Sequence, residues 1–135
     1  KVWMINVDID ILDDDGNLFD AACLAAVAAL KSAKIPELDE KQSPVYGTGV
    51  QPLPMNGIPV STTFVKIGNN ILADPNLAEL EAMDARLTVG TVNAGGGIQF
   101  CSMQKGGAVG ISADDVEKIL ELAERKGEEL RKKIK

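Results

Sequence analysis

The sequence contains no histidine, which excludes several kinds of active site. Serine and cysteine nucleophiles activated by a histidine are ruled out, because both mechanisms use an imidazole as the general base. The two cysteines, Cys23 and Cys101, are isolated and form no CxxC pair, which argues against zinc. We interpret them as small buried hydrophobic residues of a protein in a reducing compartment, and we expect that compartment to be the cytoplasm.

Aromatic residues, basic charge and long apolar runs are also scarce. Aromatic side chains make up 4% of the 135 residues, so no platform for stacking unpaired bases is visible. A net charge of −6 argues against a chain that binds nucleic acid alone, since such a chain needs a basic stripe. The one dense basic run, at residues 131–135, is interpreted as charge that complements the dipole of a helix C-terminus. The apolar run at 21–30 is too short to span a bilayer, and no signal peptide is recognisable.

The first part of the chain predicts a strand and then a helix. Residues 2–12 alternate between apolar and polar side chains, which is typical of a strand with one dry face. An alanine-rich helix is predicted over residues 18–33, and a proline- and glycine-rich interdomain connection over 35–57. Because the strand pattern follows Lys1 at once, we expect a fragment that lacks its upstream half. Its strand and helix should then bury their apolar faces against residues absent here or against another chain.

From residue 58 a second unit is predicted, with the order strand, strand, helix, strand, strand, helix. The four strands are predicted over residues 60–67, 71–73, 87–93 and 98–103. Asp74 as cap and Pro75 as first residue predict the start of one helix, and Ser112 is the predicted N-cap of the other. Because hairpins rather than crossovers join the strands, we expect the α+β class with a largely antiparallel sheet.

Residues 12–21 read LDDDGNLFDA, and this acidic turn is the main candidate for a functional site. An EF-hand calcium loop with Gly16 at its sixth position would need acidic residues at its first and twelfth positions. Those positions are Ile11 and Ala22, so calcium is excluded by the register. The glycines later in the chain match neither a P-loop nor a dinucleotide-binding motif, and tight turns are the better interpretation.

Two interpretations of the acidic turn remain open from the residues alone. Asp10, at the end of the predicted strand, could combine with the aspartates of the turn as a two-carboxylate or Mg²⁺ site. Alternatively, the segment is an Asx-type turn that starts a helix near Asn17 or Asp20. The residue types favour the turn, because the positive or amide donors of a phosphate-handling site are not evident nearby.

Three stretches together resemble the ribonuclease PH family of phosphorolytic exoribonucleases and, within it, the non-catalytic ring subunits of the archaeal exosome. They read VDIDILDDDGNLFDAACLAAVAAL, IPVSTTFVKIGNNILADPNLAELEAMDARLTV and GGG, the last before a predicted strand and a long helix. The resemblance implies the end of a first β-α domain, ribosomal S5 domain 2-like, over residues 1–40. A linker over 41–57 and a complete ββαββα second domain over 58–135 are then expected.

The resemblance also bears on the acidic turn. Catalytic members carry an Asp followed by Gly-Gly-Thr-Arg-Thr here, a stretch that binds phosphate for attack on the RNA 3′ end. Asp15 and Gly16 match, and Asn17, Leu18, Phe19 and Asp20 replace Gly-Thr-Arg-Thr. The arginine and both hydroxyls are therefore missing, and the carboxylate of Asp20 would repel phosphate. Asp10 and Asp15 remain as degenerate counterparts of catalytic acids, with no phosphate site to serve.

The implied function is that of a non-catalytic structural subunit in a six-membered ring that alternates catalytic and non-catalytic subunits. Such a ring degrades RNA from its 3′ end by phosphorolysis, and the non-catalytic subunit completes the RNA path and shapes its neighbour's active site. The implied partners are the catalytic subunit, RNA-binding cap subunits and RNA held by the assembled ring. We expect no metal, cofactor or membrane. The alternatives are a catalytic phosphorolytic exoribonuclease and a stand-alone scaffold or metal-binding domain.

Overall fold

The computed structural model describes residues 2–134, without the side chains of residues 48–50. Its helices are α1 (Leu18–Ser32), α2 (Leu77–Ala82) and α3 (Ala113–Arg131). Its strands are β1 (Lys34–Leu38), β2 (Pro44–Pro52), β3 (Pro59–Ile67), β4 (Asn70–Ala73), β5 (Ala85–Ala94) and β6 (Gly97–Gly106). Strands β1 and β2 pair with each other, and the other four form an antiparallel sheet in the order β4-β3-β5-β6. The α+β class and the ββαββα order of the second unit are therefore confirmed.

The predicted strand over residues 2–12 is wrong. Residues 2–11 have neither helix nor strand structure, and every one of them is exposed. Sheet structure requires a neighbouring strand to receive the backbone hydrogen bonds, and nothing in the described range 2–134 pairs with this segment. Its odd-numbered apolar side chains are consequently 44–59% exposed; they are Trp3, Ile5, Val7, Ile9 and Ile11.

The prediction of an irregular connection over residues 35–57 is also wrong. Strands β1 and β2 form an antiparallel hairpin, and the Leu53 amide closes its base by donating to the Ala33 carbonyl at 3.0 Å. In a two-stranded sheet both strands are edges, and proline is tolerated at an edge because its missing N–H can face away from the partner. Prolines such as Pro36 and Pro44, which suggested a loop, are therefore compatible with the hairpin.

Helix α2 starts later than predicted, and its cap is a different residue. The Asn76 side chain accepts from the Glu79 amide at 3.0 Å, and the Glu79 carboxylate accepts from the Asn76 amide at 2.9 Å. This reciprocal pair is a capping box, so Asp74 is not the cap. Ser112 does cap α3 as predicted, because its hydroxyl accepts from the Asp115 amide at 3.1 Å.

The four-stranded sheet lies between α3 and the first turns of α1. On one face, a buried cluster is formed by Phe64, Leu87, Val89, Ile119 and Ala123. Lys66 on β3 pairs with Asp115 on α3 on that same face. Hydrogen bonds from the Lys66 ammonium and from Ser112 lower the pKa of Asp115 below its usual value. The opposite face meets α1, whose Phe19 ring lies 4.8 Å from the Arg86 guanidinium carbon.

The cysteines are less buried than the sequence suggested. Cys23 is half-buried on α1, while Cys101 is exposed on β6, an edge strand of the sheet. Both are free thiols. The prediction of two buried cysteines is therefore wrong, since Cys101 is exposed and Cys23 is only half-buried.

Gly127 allows α3 to approach β5 closely, and its replacement by alanine is expected to destabilise the fold. A Cβ there would lie 2.4 Å from Thr91 Oγ1 and 3.3 Å from Val60 Cγ2. Helix propensity alone would favour alanine by about 1 kcal/mol, whereas overpacking of this kind costs about 1–3 kcal/mol. We expect a net loss, because the Thr91 hydroxyl is held by Arg131 Nη1 at 3.0 Å.

Urea unfolding of Gly127→Ala in two backgrounds tests this expectation. In the parent, the midpoint should fall. In a Thr91→Ala background the obstructing oxygen is gone, so the same change at Gly127 should become neutral or stabilising. A rise in the midpoint in both backgrounds would show that the close approach imposes no constraint.

Candidate functional site

The acidic turn adopts an Asx-type geometry that starts α1. The Asp14 carboxylate accepts from the Gly16 amide at 2.8 Å. Gly16 and Asn17 both have positive φ angles, +95° and +52°, and α1 begins at the next residue. Asn17 occupies the N-cap position, but its side chain makes no capping hydrogen bond. That side chain is therefore available for contacts with the sheet.

Asp10 and Asp15 are exposed and lie outside the cavity described below. Within residues 2–134, neither carboxylate has a hydrogen-bond or ion-pair partner. No group of three or more His, Cys, Asp or Glu side chains in this part of the chain is arranged to hold a metal ion. The structure thus does not bring Asp10 and Asp15 together with other polar side chains.

Asp20, in contrast, is buried and fully engaged by the sheet. The residue is 8% exposed. Its Oδ2 accepts from the Thr63 amide at 2.6 Å and from Asn17 Nδ2 at 2.8 Å, and its Oδ1 accepts from the Thr63 hydroxyl at 3.0 Å. Hydrogen bonds from neutral donors can hold a buried carboxylate in this way without a cationic partner.

The end of β4 explains why the Thr63 amide is available. Strand β4 pairs with β3 only as far as Ala73, which lies opposite Phe64. The Thr63 carbonyl still accepts from the Asp74 amide at 3.0 Å, so the N–H of Thr63 faces the same side, beyond the end of β4. Because β4 has ended at this point, the Thr63 N–H has no backbone acceptor there and donates to the Asp20 carboxylate instead.

Two further residues complete the arrangement. The Thr88 and Thr63 hydroxyl oxygens are 2.9 Å apart, and Asn17 Nδ2 also donates to Asp74 Oδ1 at 2.7 Å. Asp74 has a positive φ of +59°, which is uncommon for a residue other than glycine. We refer to Asn17, Asp20, Thr63, Asp74 and Thr88 as the Asp20 cluster. It connects α1 to the sheet.

A cavity of about 450 Å³ lies beside the Asp20 cluster. Asn17, Asp20, Thr63 and Asp74 line one side, and the end of α3 lines the other with Lys126, Glu129 and Lys133. The Lys126 ammonium is paired with Glu129 at 2.8 Å. Asn17 Oδ1 is buried without a hydrogen-bond partner. Most of the polar side chains named here are therefore already paired with one another or with neighbouring residues.

The other two replaced positions serve packing. Leu18 is half-buried, and the Phe19 ring lies under the Arg86 guanidinium, a favourable cation–π arrangement. The Ser61 hydroxyl donates to the Phe19 carbonyl at 3.4 Å. The whole segment from Asn17 to Asp20 is thus used to attach α1 to the rest of the fold.

The sequence alone did not indicate Thr63, Asp74 and Thr88 as members of a site. The pair Asp-Pro is typical of a helix start, so the sequence predicts Asp74 as a helix cap instead. Thr63 and Thr88 carry the β-branched side chains expected of any strand. Each strand carries a buried polar threonine, and a buried hydroxyl needs a hydrogen-bond partner. That partner, the Asp20 carboxylate, is brought to Thr63 only by the packing of α1 on the sheet.

Family profiles match both parts of the chain. The profile described as the 3′ exoribonuclease family, domain 2, matches residues 57–126, which are 70 of the 135 residues. The chain belongs to this family. The profile of domain 1 of the 3′ exoribonuclease family matches residues 1–36, and the predicted resemblance is confirmed.

Individual members of the 3′ exoribonuclease family agree with these matches. The exosome complex component Rrp42 of Methanothermobacter thermautotrophicus is 44% identical over 128 residues, which cover 93% of this chain and 46% of that protein. The Rrp42 component of Methanocella arvoryzae is 42% identical, covering 99% and 48%. A chain of the Archaeoglobus fulgidus exosome with RNA bound to the active site has a TM-score of 0.77 and 34% identity, covering 92% of this chain and 46% of that one. The chain thus spans about half the length of the curated relatives it matches.

Proposed function

We propose that the chain is part of a non-catalytic subunit of an exosome ring, which supports 3′-to-5′ phosphorolytic degradation of RNA by a catalytic neighbour. The observation that carries the proposal is the buried Asp20 carboxylate. At the segment where catalytic members bind phosphate, this chain has Asn17–Asp20, and the last of these side chains is bonded to Thr63. A carboxylate at that point repels a phosphate anion rather than attracting it.

The similar proteins support the ring assignment. Relatives that match almost the whole chain are named exosome complex component Rrp42, and a second structural neighbour is an archaeal exosome core with a TM-score of 0.76. We propose a catalytic ribonuclease PH-like subunit as the alternating partner in a hetero-hexamer, with RNA-binding cap subunits and RNA held by the assembled ring. The net charge of −6 fits a chain that leaves most RNA contacts to other parts of the ring.

The cellular location of the protein and the boundaries of its domains are also part of this proposal. We propose the cytoplasm as the site of action. Within residues 2–134, no helix is long and apolar enough to cross a membrane. We propose that residues 1–40 are the end of a first domain, 41–57 a linker and 58–135 a second domain. The β1–β2 hairpin lies across the stretch between the two family matches.

Release of nucleoside diphosphates from RNA in the presence of inorganic phosphate tests the proposal. The isolated full-length protein is expected to release none. Mixing it with a catalytic ring subunit should give a hexamer by mass and raise the activity above that of the catalytic subunit alone. An active-site variant of the catalytic subunit, assembled in the same way, should abolish all release.

Two outcomes would contradict the proposal. Robust phosphorolysis by the isolated full-length protein would favour the catalytic alternative. A rise in melting temperature at micromolar Ca²⁺ or Mg²⁺, without assembly with the catalytic subunit, would favour a metal-binding scaffold.

A further inference from the structure

Asn56 is the one asparagine in the sequence that is followed by glycine. Asn56 and Gly57 lie in the bend between β2 and β3, outside any helix or strand. This pair has its own chemistry, because glycine leaves φ and ψ free enough for its nitrogen to approach the side-chain amide carbon of the residue before it. The sequence therefore singles out Asn56 as a residue that can react with its own backbone.

The structure leaves both reacting groups free. Asn56 is exposed, and its side chain has no hydrogen-bond partner among the described residues. Within the same range the Gly57 amide donates to no acceptor, whereas the next amide, that of Ile58, donates to Asn93 Oδ1 at 2.9 Å. The Gly57 nitrogen can consequently turn toward the Asn56 side chain without first breaking a native hydrogen bond.

Packing accounts for the glycine at position 57. A Cβ there would lie 2.7 Å from Val92 Cγ2 and 2.8 Å from the Asn93 carbonyl oxygen. The second of these is a backbone atom, so the contact cannot be relieved by rotating a side chain. The close approach of the bend to β5 thus favours glycine, and the same glycine makes Asn56 reactive.

A second pair of this type, Asp15 and Gly16, is protected. It is the one Asp-Gly pair of the sequence. The Gly16 amide donates to the Asp14 carboxylate at 2.8 Å, and Gly16 lies against the backbone of residues 75–77. A carboxylate is also a poorer electrophile than an amide, because its negative charge repels the entering nitrogen. The acidic turn should therefore stay unmodified where Asn56 reacts.

We propose that Asn56 is a site of spontaneous deamidation. The Gly57 nitrogen gives its proton to hydroxide and forms a bond to the Asn56 side-chain carbon. The bond from that carbon to Nδ2 then breaks, and this nitrogen takes a proton from water and leaves as ammonia. Water opens the resulting five-membered succinimide at either of its two carbonyl carbons. The product at position 56 is aspartate or isoaspartate, and isoaspartate carries one extra methylene in the main chain.

The reaction changes the charge and the length of the bend. Asn56 lines a cavity of about 450 Å³ beside the turn of residues 95–97, and no charged side chain of the described residues lines it. One negative charge is added there to a chain whose net charge is −6. The extra methylene of isoaspartate displaces the chain just before Ile58, whose amide attaches the start of β3 to Asn93. The isoaspartate form should consequently melt at a lower temperature than the aspartate form.

Incubation of the full-length protein in mildly alkaline buffer, followed by peptide mass spectrometry, tests the proposal. The tryptic peptide of residues 42–66 contains no other asparagine. It should gain about 1 Da, faster at higher pH, and become a substrate for methylation by an isoaspartyl methyltransferase. The peptides that contain Asp15 or Asn93 should show neither change. The proposal is overturned if Asn56 stays unmodified in the folded protein while the denatured chain reacts in the same buffer.

Matched variants assign the reaction to this pair. Asn56→Gln keeps an amide but would need a larger ring, so the peptide of residues 42–66 should stay unmodified. Gly57→Ala should slow the reaction roughly tenfold or more, because a side chain restricts the backbone. If Gly57→Ala does not fold, Asn56→Gln alone decides, and an equal mass gain in Asn56→Gln would overturn the proposal. Asn56→Asp reproduces the aspartate product and should melt as the parent does. These results do not depend on assembly of the ring.

Discussion

Replacing Gly16 by alanine is expected to lower the free energy of unfolding by about 3 kcal/mol, the sum of backbone strain and overpacking. The φ angle of +95° is one that side chains other than hydrogen rarely permit. A Cβ would also lie 2.6 Å from the Asn76 carbonyl carbon, 2.7 Å from the Pro75 oxygen and 2.8 Å from the Leu77 nitrogen. These are backbone atoms, which cannot rotate away as the end of a side chain can. The start of α1 and the start of α2 would have to separate.

Gly68→Ala is the matched control for Gly16→Ala. Gly68 also has a positive φ, +60°, but a Cβ there would meet no atom within 4 Å. Its replacement should therefore cost only the conformational term, about 1 kcal/mol. Urea unfolding of both variants gives the comparison. Equal losses would mean that the contact between the acidic turn and the start of α2 contributes nothing.

The elements predicted most accurately are those whose signals are local. Strand β3 was predicted to within one residue, because its alternation is bounded by glycine and proline. Ser112 was correctly identified as the cap of α3, since the capping residue and the apolar stripe after it lie within a few turns. Such patterns require no knowledge of what the element packs against.

The elements that were predicted wrongly depend on pairing. The alternation over residues 2–12 describes a side-chain period, but a strand forms only when another strand lies beside it. The prolines of the β1–β2 hairpin suggested a loop, because sequence alone does not show which residues become sheet edges. Both errors arise from contacts between residues distant in the chain.

The contacts of charged residues are likewise not predictable from the sequence when their partners lie far away in the chain. Asp20 was identified from the family resemblance as a replaced position, but as a free charge that repels phosphate rather than a buried acceptor for Thr63. From the sequence, Arg131 is interpreted as charge that complements the dipole at the end of α3, and it does lie in the last turn of that helix. It is 8% exposed and donates to the Thr91 carbonyl and hydroxyl, and burial lowers its pKa. In each case the partner lies at least 40 residues away.

Truncation of Phe64 to alanine is expected to give the largest loss of stability, about 3–5 kcal/mol, because a fully buried aromatic side chain leaves a cavity that its neighbours fill only in part. Phe64 is 0% exposed and packs against Leu87, Val89 and Ile119. It also lines the cavity beside the Asp20 cluster. Loss of the ring would therefore extend that cavity into the apolar core.

Phe100→Ala is the control for Phe64→Ala, because the chemical change is the same. Phe100 lies on the edge strand β6 and is 43% exposed, so its truncation should cost only about 1 kcal/mol. Urea unfolding followed by circular dichroism measures both. A small loss for Phe64→Ala would mean that the sheet and α3 are held together by something other than this core. A large loss for Phe64→Ala alone would show that the attachment of α3, and with it one wall of the cavity beside Asp20, depends on the apolar face of β3.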